Sequence, residues 1–225
     1  MAHGGNVPVE SRFKDRYDAG RKLAEALRSY AGRQDVIVLA LPRGGVPVGY
    51  EVAKALGADL DILIVRKLGV PGQPELAMGA IASGGALYLN EEIVSLAGVS
   101  PHDINIVLEK ERHELARRET LYRGLHPAIQ IEGRTVIIVD DGIATGASMH
   151  AAIMALRSSK PSRIIVAVPV CPVDTAERFK GLADTFVSIL TPVPFGAVGQ
   201  FYDWFDQTSD EEVRSLFTQW RKGDS

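Results

Sequence analysis

The residues best suited to chemistry lie in one run, Val136 to Ser148 (VIIVDDGIATGAS). Four apolar residues lead into two adjacent carboxylates, Asp140 and Asp141. A loop of small and hydroxyl residues follows (Gly142, Ala144, Thr145, Gly146, Ala147, Ser148) and opens a helical pattern. The apolar run predicts a buried strand that delivers both carboxylates at its carboxyl end, where open α/β sheets bind ligands. The loop enters a helix N-terminus, whose free N–H groups and dipole favour a phosphate. Small residues let that backbone approach the anion, and Thr145 and Ser148 add hydroxyl donors. Two carboxylates facing the same phosphate would repel it. The conflict disappears if they accept hydrogen bonds from a diol while the loop holds the phosphate, which is how a phosphorylated ribose would be gripped. Neither G-x-x-x-x-G-K-S/T nor G-x-G-x-x-G is present, so the run is not a Walker A loop or a dinucleotide-binding turn.

Other candidates stand nearby in sequence. Leu41–Gly45 (LPRGG) follows an apolar run, and a turn there offers the N–H groups of Gly44 and Gly45 plus the Arg43 guanidinium. That set suits a pyrophosphate; the plain alternative is a Gly-rich connection with a solvated arginine. Arg66 and Lys67 end the run Ile62–Val65 and fall on opposite faces by alternation. Glu75, beside a proline, reads as a substrate contact or as a surface carboxylate. Arg112, Arg117, Arg118 and Arg123 lie along a long charged helical pattern with Glu114 four residues before Arg118, which reads most simply as a solvated face. His113 reads as a surface residue and Cys171 as core.

The elements that must position these residues alternate along the chain. β-Branched runs at Val36–Leu41, Ile62–Val65, Val136–Val139, Ile164–Val170 and Phe186–Leu190 predict strands buried on both faces. Helical patterns lie between them: Phe13, Tyr17, Leu23, Ala24 and Leu27 on one face, then Val46–Leu56, Ile104–Tyr122, Ala147–Ser159 and Asp210–Trp220. The alternation predicts an α/β fold, a parallel doubly wound sheet of about five strands flanked by helices. Ala77–Leu89, with Ser-Gly-Gly at its centre, predicts a β-hairpin. The proline-bearing stretch Thr191–Gln200 and the aromatics Phe201, Tyr202, Trp204 and Phe205 predict a small hood or a dimer contact. One domain over 1–225 is expected, with a core sheet over about 10–190 and a hood and helix extension over 191–225.

Composition narrows the function classes. With 46% apolar and 24% charged residues the chain is an ordinary globular one, which excludes disorder as its main state. A net charge of −3 argues against broad nucleic-acid binding. The single cysteine cannot form an internal disulfide. Met1–Glu10 lacks the pattern of a signal peptide, and no apolar stretch approaches the ~20 residues that span a bilayer. A cytoplasmic protein without membrane contact is expected.

The run VIIVDDGIATGAS resembles the 13-residue phosphoribosyl pyrophosphate (PRPP) motif of type I phosphoribosyltransferases. LPRGG resembles that family's pyrophosphate loop, where a non-proline cis peptide is often found. The segments Phe13-x-Asp15-Arg16…Ala19-Gly20, LPRGGVPVG and VRKLGVPGQPELAMGAIA resemble one subgroup without an assigned acceptor, and the likeness covers most of residues 12–200.

The resemblance implies a Mg²⁺-dependent transferase that displaces pyrophosphate from PRPP with a nitrogen acceptor. Asp140, Asp141, Arg43 and Lys67 would be catalytic, and Gly142, Ala144, Thr145, Gly146, Ala147 and Ser148 would bind PRPP. Arg43, Gly44, Gly45, Arg66 and Lys67 would hold pyrophosphate, the choice between Arg66 and Lys67 leaning to Lys67. Asp140 and Asp141 would meet Mg²⁺ mainly through PRPP and water. Arg117, Arg118 and Arg123 would serve a mobile lid. Ala144 stands where 6-oxopurine enzymes carry an Asp, which disfavours hypoxanthine and guanine as acceptors. A homodimer is implied by analogy. The competing readings are a PRPP-binding regulator without transferase activity, which would need a basic stripe if it bound nucleic acid, and a hydrolase using water as acceptor.

Overall fold

In a computed structural model of the chain, residues 12–124 and 126–223 are described, so the expectation for Met1–Glu10 lies outside them. The chain runs α1 (Arg16–Ala26), β1 (Val36–Ala40), α2 (Gly45–Leu56), β2 (Asp59–Ile62), β3 (Val65–Val70), β4 (Gln73–Ala82), β5 (Ala86–Leu89), α3 (Glu91–Leu96), α4 (Pro101–Arg123), β6 (Thr135–Val139), α5 (Ala147–Arg157), β7 (Arg163–Val170), α6 (Val173–Phe179), β8 (Thr185–Leu190) and α7 (Asp210–Gly223). Five strands form a parallel sheet in the order β2-β1-β6-β7-β8, and β3-β4-β5 form a separate antiparallel sheet.

The continuous apolar runs of β1, β6 and β7 are explained by burial on both sides, whereas β8, at the sheet's other edge, is only half-buried, against the expectation for Phe186–Leu190. In β1, Val36, Val38 and Ala40 face a core shared with α1, α2, α4 and α7, while Ile37 and Leu39 face one shared with α5 and α6. β6 divides in the same way, Ile137 and Val139 against Val136 and Ile138. Strand alternation thus turns one apolar run into two cores. Cys171 lies buried, and burial pushes its thiol up to about 11.

Several elements depart from the sequence reading. The second strand is Asp59–Ile62 rather than Ile62–Val65. As the sheet's edge it carries Asp59 and a buried Asp61, and these carboxylates hide it from a search for apolar runs. Arg66 and Lys67 therefore do not end a strand of the parallel sheet. They sit on β3, opposite Ile81 and Ala80 of β4. The expected hairpin is present as β4 and β5, turning through Ser83–Gly85, and β3 widens it to three strands. α1 starts later than its pattern, because the Asp15 side chain caps it by accepting from Asp18 N. Phe13 instead donates its N–H to Phe201 O at 2.8 Å and packs on Tyr202. Phe201 and Tyr202 are consequently buried within the chain rather than free for a dimer contact, whereas Trp204 is exposed.

The long helix α4 buries a narrow stripe, Leu108, Leu115 and Tyr122, at seven-residue intervals. It begins with Ser100 accepting from Asp103 N and Pro101 in the first turn. Its last residue, Arg123, is buried and bonds Asp61 Oδ1 at 3.0 Å, Glu119 Oε1 at 2.9 Å and Ile62 O at 3.0 Å. Asp61 Oδ2 also accepts from Ile129 N at 3.0 Å. Arg123 therefore ties α4 to the edge strand and is unavailable to a lid, because moving it would strand a buried charge.

Replacing Arg123 with Met leaves Asp61 uncompensated, and a loss of about 3–5 kcal/mol is expected. Urea unfolding measures it; a loss below about 1 kcal/mol would show that the pair has no such role.

Candidate active site

The pairing register brings the two chemical runs together. Ala40 of β1 lies beside Val139 of β6, so Leu41–Gly45 and Asp140–Gly146 leave the sheet side by side at its carboxyl edge. Leu41 N donates to Val139 O at 2.9 Å, and the Pro42–Arg43 peptide is cis. The two glycines of LPRGG sit directly against the two carboxylates. A Cβ on Gly44 would overlap Asp141 Oδ2, and one on Gly45 would lie 2.8 Å from Val139 O and 3.1 Å from Asp140 Oδ1. Their bareness is thus a packing requirement, and of the two N–H groups expected from this turn that of Gly45 is already taken by Leu41 O at 3.0 Å.

Asp141 is gripped from three sides. Arg16 Nε donates to its Oδ2 at 2.8 Å, the Tyr202 hydroxyl donates to its carbonyl at 2.5 Å, and Gly44 closes the third side. Arg16 is itself held by Asp206 O at 2.6 Å and by the Phe205 ring 3.9 Å away. Asp140 Oδ1 accepts from Asp141 N at 2.8 Å, and among the described residues Asp140 has no ion-pair partner. Burial, then the neighbouring Asp141 carboxylate, push Asp140 well above the usual carboxylate range. Burial also raises Asp141, with Arg16 pulling the other way. Arg16 compensates only Asp141, so a second full charge on the pair is disfavoured until a cation or hydroxyl donors arrive to stabilise it.

The loop after the pair is pinned at its middle. Ile143 is buried and donates its N–H to Val170 O at 2.9 Å. Gly146 takes a φ of +79° at the start of α5, and no side chain caps that helix. Its first N–H groups therefore remain open to an anion, and Thr145, Ala147 and Ser148 are exposed beside them. Two side chains of α6 hold the loop from behind. The Thr175 hydroxyl donates to Ala144 O at 3.2 Å, and Arg178 donates to Thr145 O at 3.2 Å and to Thr175 Oγ1 at 3.0 Å.

Cations converge from other elements. A cavity of 300 Å³ is bordered by Pro42, Arg66, Lys67, Arg118, Asp140 and Ser148. Arg66 is tied to Glu111 at 2.6 Å, and Arg117 and Arg118 both engage Glu114 at 2.8 Å, as the spacing predicts for Arg118. Lys67 is exposed and has no ion-pair partner among the described residues. It also borders a 630 Å³ cavity with Glu75, Thr145, His150 and Arg178. Arg43 lies 3.7 Å from Asp210 Oδ1, which accepts from the Tyr122 hydroxyl at 2.6 Å. Sequence reasoning missed the roles of Arg16, Tyr202, Thr175 and Arg178. Arg16 belongs to the Phe13-x-Asp15-Arg16 segment already singled out, while α6 gave no periodic signal in its seven residues.

A strand-borne carboxylate pair, an uncapped helix N-terminus and a Gly-Gly turn thus meet at one sheet edge, an arrangement chemically suited to a phosphorylated ligand. Comparison with known proteins makes this specific: the chain belongs to the phosphoribosyl transferase domain family, whose model matches residues 11–198. Two relatives, from the CDC 1551 and H37Rv strains of Mycobacterium tuberculosis, are named "Putative phosphoribosyl transferase MT0597" and "Putative phosphoribosyl transferase Rv0571c". Each is 49% identical over 201 residues, covering 89% of this chain and 45% of the relative. The chain thus spans about half the length of these relatives. The crystal structure of TT1426 from Thermus thermophilus is 42% identical, with a TM-score of 0.84 over 93% of this chain and 99% of that one.

Gly44→Ala must displace the Asp141 carboxylate or the turn. Overpacking of this kind costs about 1–3 kcal/mol. Thermal unfolding of the variant and its crystal structure would check both effects; an unmoved Arg16–Asp141 pair at wild-type stability would contradict the packing argument.

Proposed function

We propose that the chain transfers a phosphoribosyl group from PRPP to a nitrogen acceptor, a nucleobase other than a 6-oxopurine, with Mg²⁺. The observation that carries this reading is the packing of Gly44 and Gly45 against Asp140 and Asp141. It sets a pyrophosphate-type turn and a phosphate-type loop on either side of one carboxylate pair. The relatives' names support the transferase class.

In this reading the N–H groups of residues 145–148 and the hydroxyls of Thr145 and Ser148 take the 5′-phosphate. Asp140 accepts from the ribose diol. Asp141 does so through Oδ1, its other oxygen being held by Arg16. Gly44, Arg43 and Lys67 face the pyrophosphate, with Gly45, whose N–H is held by Leu41 O, shaping the turn and Arg66 behind them on Glu111. Arg118 reaches the leaving group by exchanging Glu114 for it, and Arg117 accompanies it. Glu75 contacts substrate at the border of the larger cavity. The acceptor lone pair forms the N–C1 bond with inversion as the C1–O bond breaks. That bond's electrons leave with pyrophosphate, and the nitrogen proton is released. Charge develops as an oxocarbenium ion flanked by the carboxylates and an anion flanked by the cations, so positioning and electrostatics carry catalysis.

The carboxylate pair, of which Arg16 compensates only Asp141, fits a divalent cation. The described residues contain no cluster of three or more metal-ligating side chains, so Asp140 and Asp141 would share the ion with PRPP oxygens and water. When bound, Mg²⁺ neutralises the leaving pyrophosphate. The homodimer and the cytoplasmic location belong to the same proposal. Ala144 leaves the purine-N7 position without a carboxylate base, which is why a 6-oxopurine is set aside.

Calorimetric titration of Mg²⁺–PRPP into the wild type and into Asp140→Asn/Asp141→Asn tests the reading. Binding to the wild type, weakened at least tenfold in the folded variant, is expected. A pyrophosphate-release screen over purines, pyrimidines and small amines would then find the acceptor. Absence of PRPP binding by the folded wild type would overturn the proposal.

A further inference from the structure

We infer that Thr175 and Arg178 of α6 are positioning residues that preset the phosphate loop for its anion; this rests on the phosphate-loop reading above. Residues 144–146 are exposed or half-buried, begin after the Ile143 anchor, and carry no capping side chain of their own. Left alone, such a segment would sample peptide orientations that turn carbonyls toward the anion. In a trans peptide the carbonyl of one residue and the N–H of the next point in opposite directions. The Thr175 hydroxyl holds Ala144 O and Arg178 holds Thr145 O, both from the α6 side. The N–H groups of Thr145 and Gly146 are thereby turned away from α6. Among the described residues the only other hydrogen bond to these three carbonyls is the helical one from His150 N to Gly146 O.

The two side chains act as one device. Thr175 is buried and its hydroxyl has a single proton, which goes to Ala144 O. The same oxygen accepts from Arg178, which fixes the rotor and polarises it. Arg178 also brings positive charge to the loop, and no carboxylate pairs with it among the described residues. The loop is therefore aligned before the ligand arrives, which removes an ordering cost from binding.

The probe is ribose 5-phosphate without Mg²⁺, titrated calorimetrically so that the phosphate loop dominates. Thr175→Val and Arg178→Met are each expected to weaken binding about tenfold, the scale of one lost hydrogen bond. Thr175→Ser, which keeps the hydroxyl, should bind within about twofold of wild type, and the double variant should be hardly weaker than either single one, as for coupled groups. Equal losses in Thr175→Ser and Thr175→Val would assign the effect to packing and overturn the proposal. So would wild-type affinity in Arg178→Met, an exposed position whose variant remains informative if Thr175→Val does not fold. Failure of the wild type to bind either ribose 5-phosphate or PRPP would instead overturn the phosphate-loop reading, and this inference with it.

Discussion

The Asp141 contact set is the constraint around which the carboxyl edge of the sheet is arranged. One carboxylate meets the Gly44 backbone in front and the Arg16 guanidinium beside it, and its own carbonyl takes the Tyr202 hydroxyl. These partners come from the turn before α2, the start of α1 and the segment before α7. Segments far apart in sequence are thereby fixed to a single residue at the end of β6. The Phe205 ring under Arg16 and the Phe13–Tyr202 packing cover much of the contact, which strengthens it. Asp140 is left with its charge largely unpaired, so the neighbouring residues divide into one that organises and one that remains open to a ligand.

The parallel sheet was legible because its central strands have no polar face. Val36–Ala40 and Thr135–Val139 are buried throughout, and the runs in the sequence reflect that directly. The turn at 140–146 and the helix after it were legible for a related reason: small residues following a buried apolar run mark a tight exit from a strand into a helix. What stayed hidden depends on partners distant in sequence. Asp61 looks like a solvated residue until Arg123, 62 positions away, is seen to bury it. Arg123 for its part looks like one more cation of a charged helix. Tyr202 read as hood or interface because nothing local reveals that its hydroxyl reaches Asp141.

The placement of Lys67 has a similar origin. Its expected position at a strand terminus would have given it one neighbourhood. On β3, in a sheet that packs between α4 and α5, it borders both the cavity beside Asp140 and the larger one along α5. Arg66, on the opposite face, is drawn to Glu111 of α4. Strand alternation thus separates two adjacent cations into one that is paired and one that has no ion-pair partner among the described residues, a distinction the sequence alone left open.

The contact between Gly44 and Asp141 also shapes how this chain could change over time. A side chain at position 44 would occupy space the carboxylate already fills, and shortening position 141 would open that space while stranding Arg16. Each step is costly alone and becomes easier after the other, so the two sites are bound by epistasis. As neighbouring segments changed, this small junction would stay behind as a ratchet.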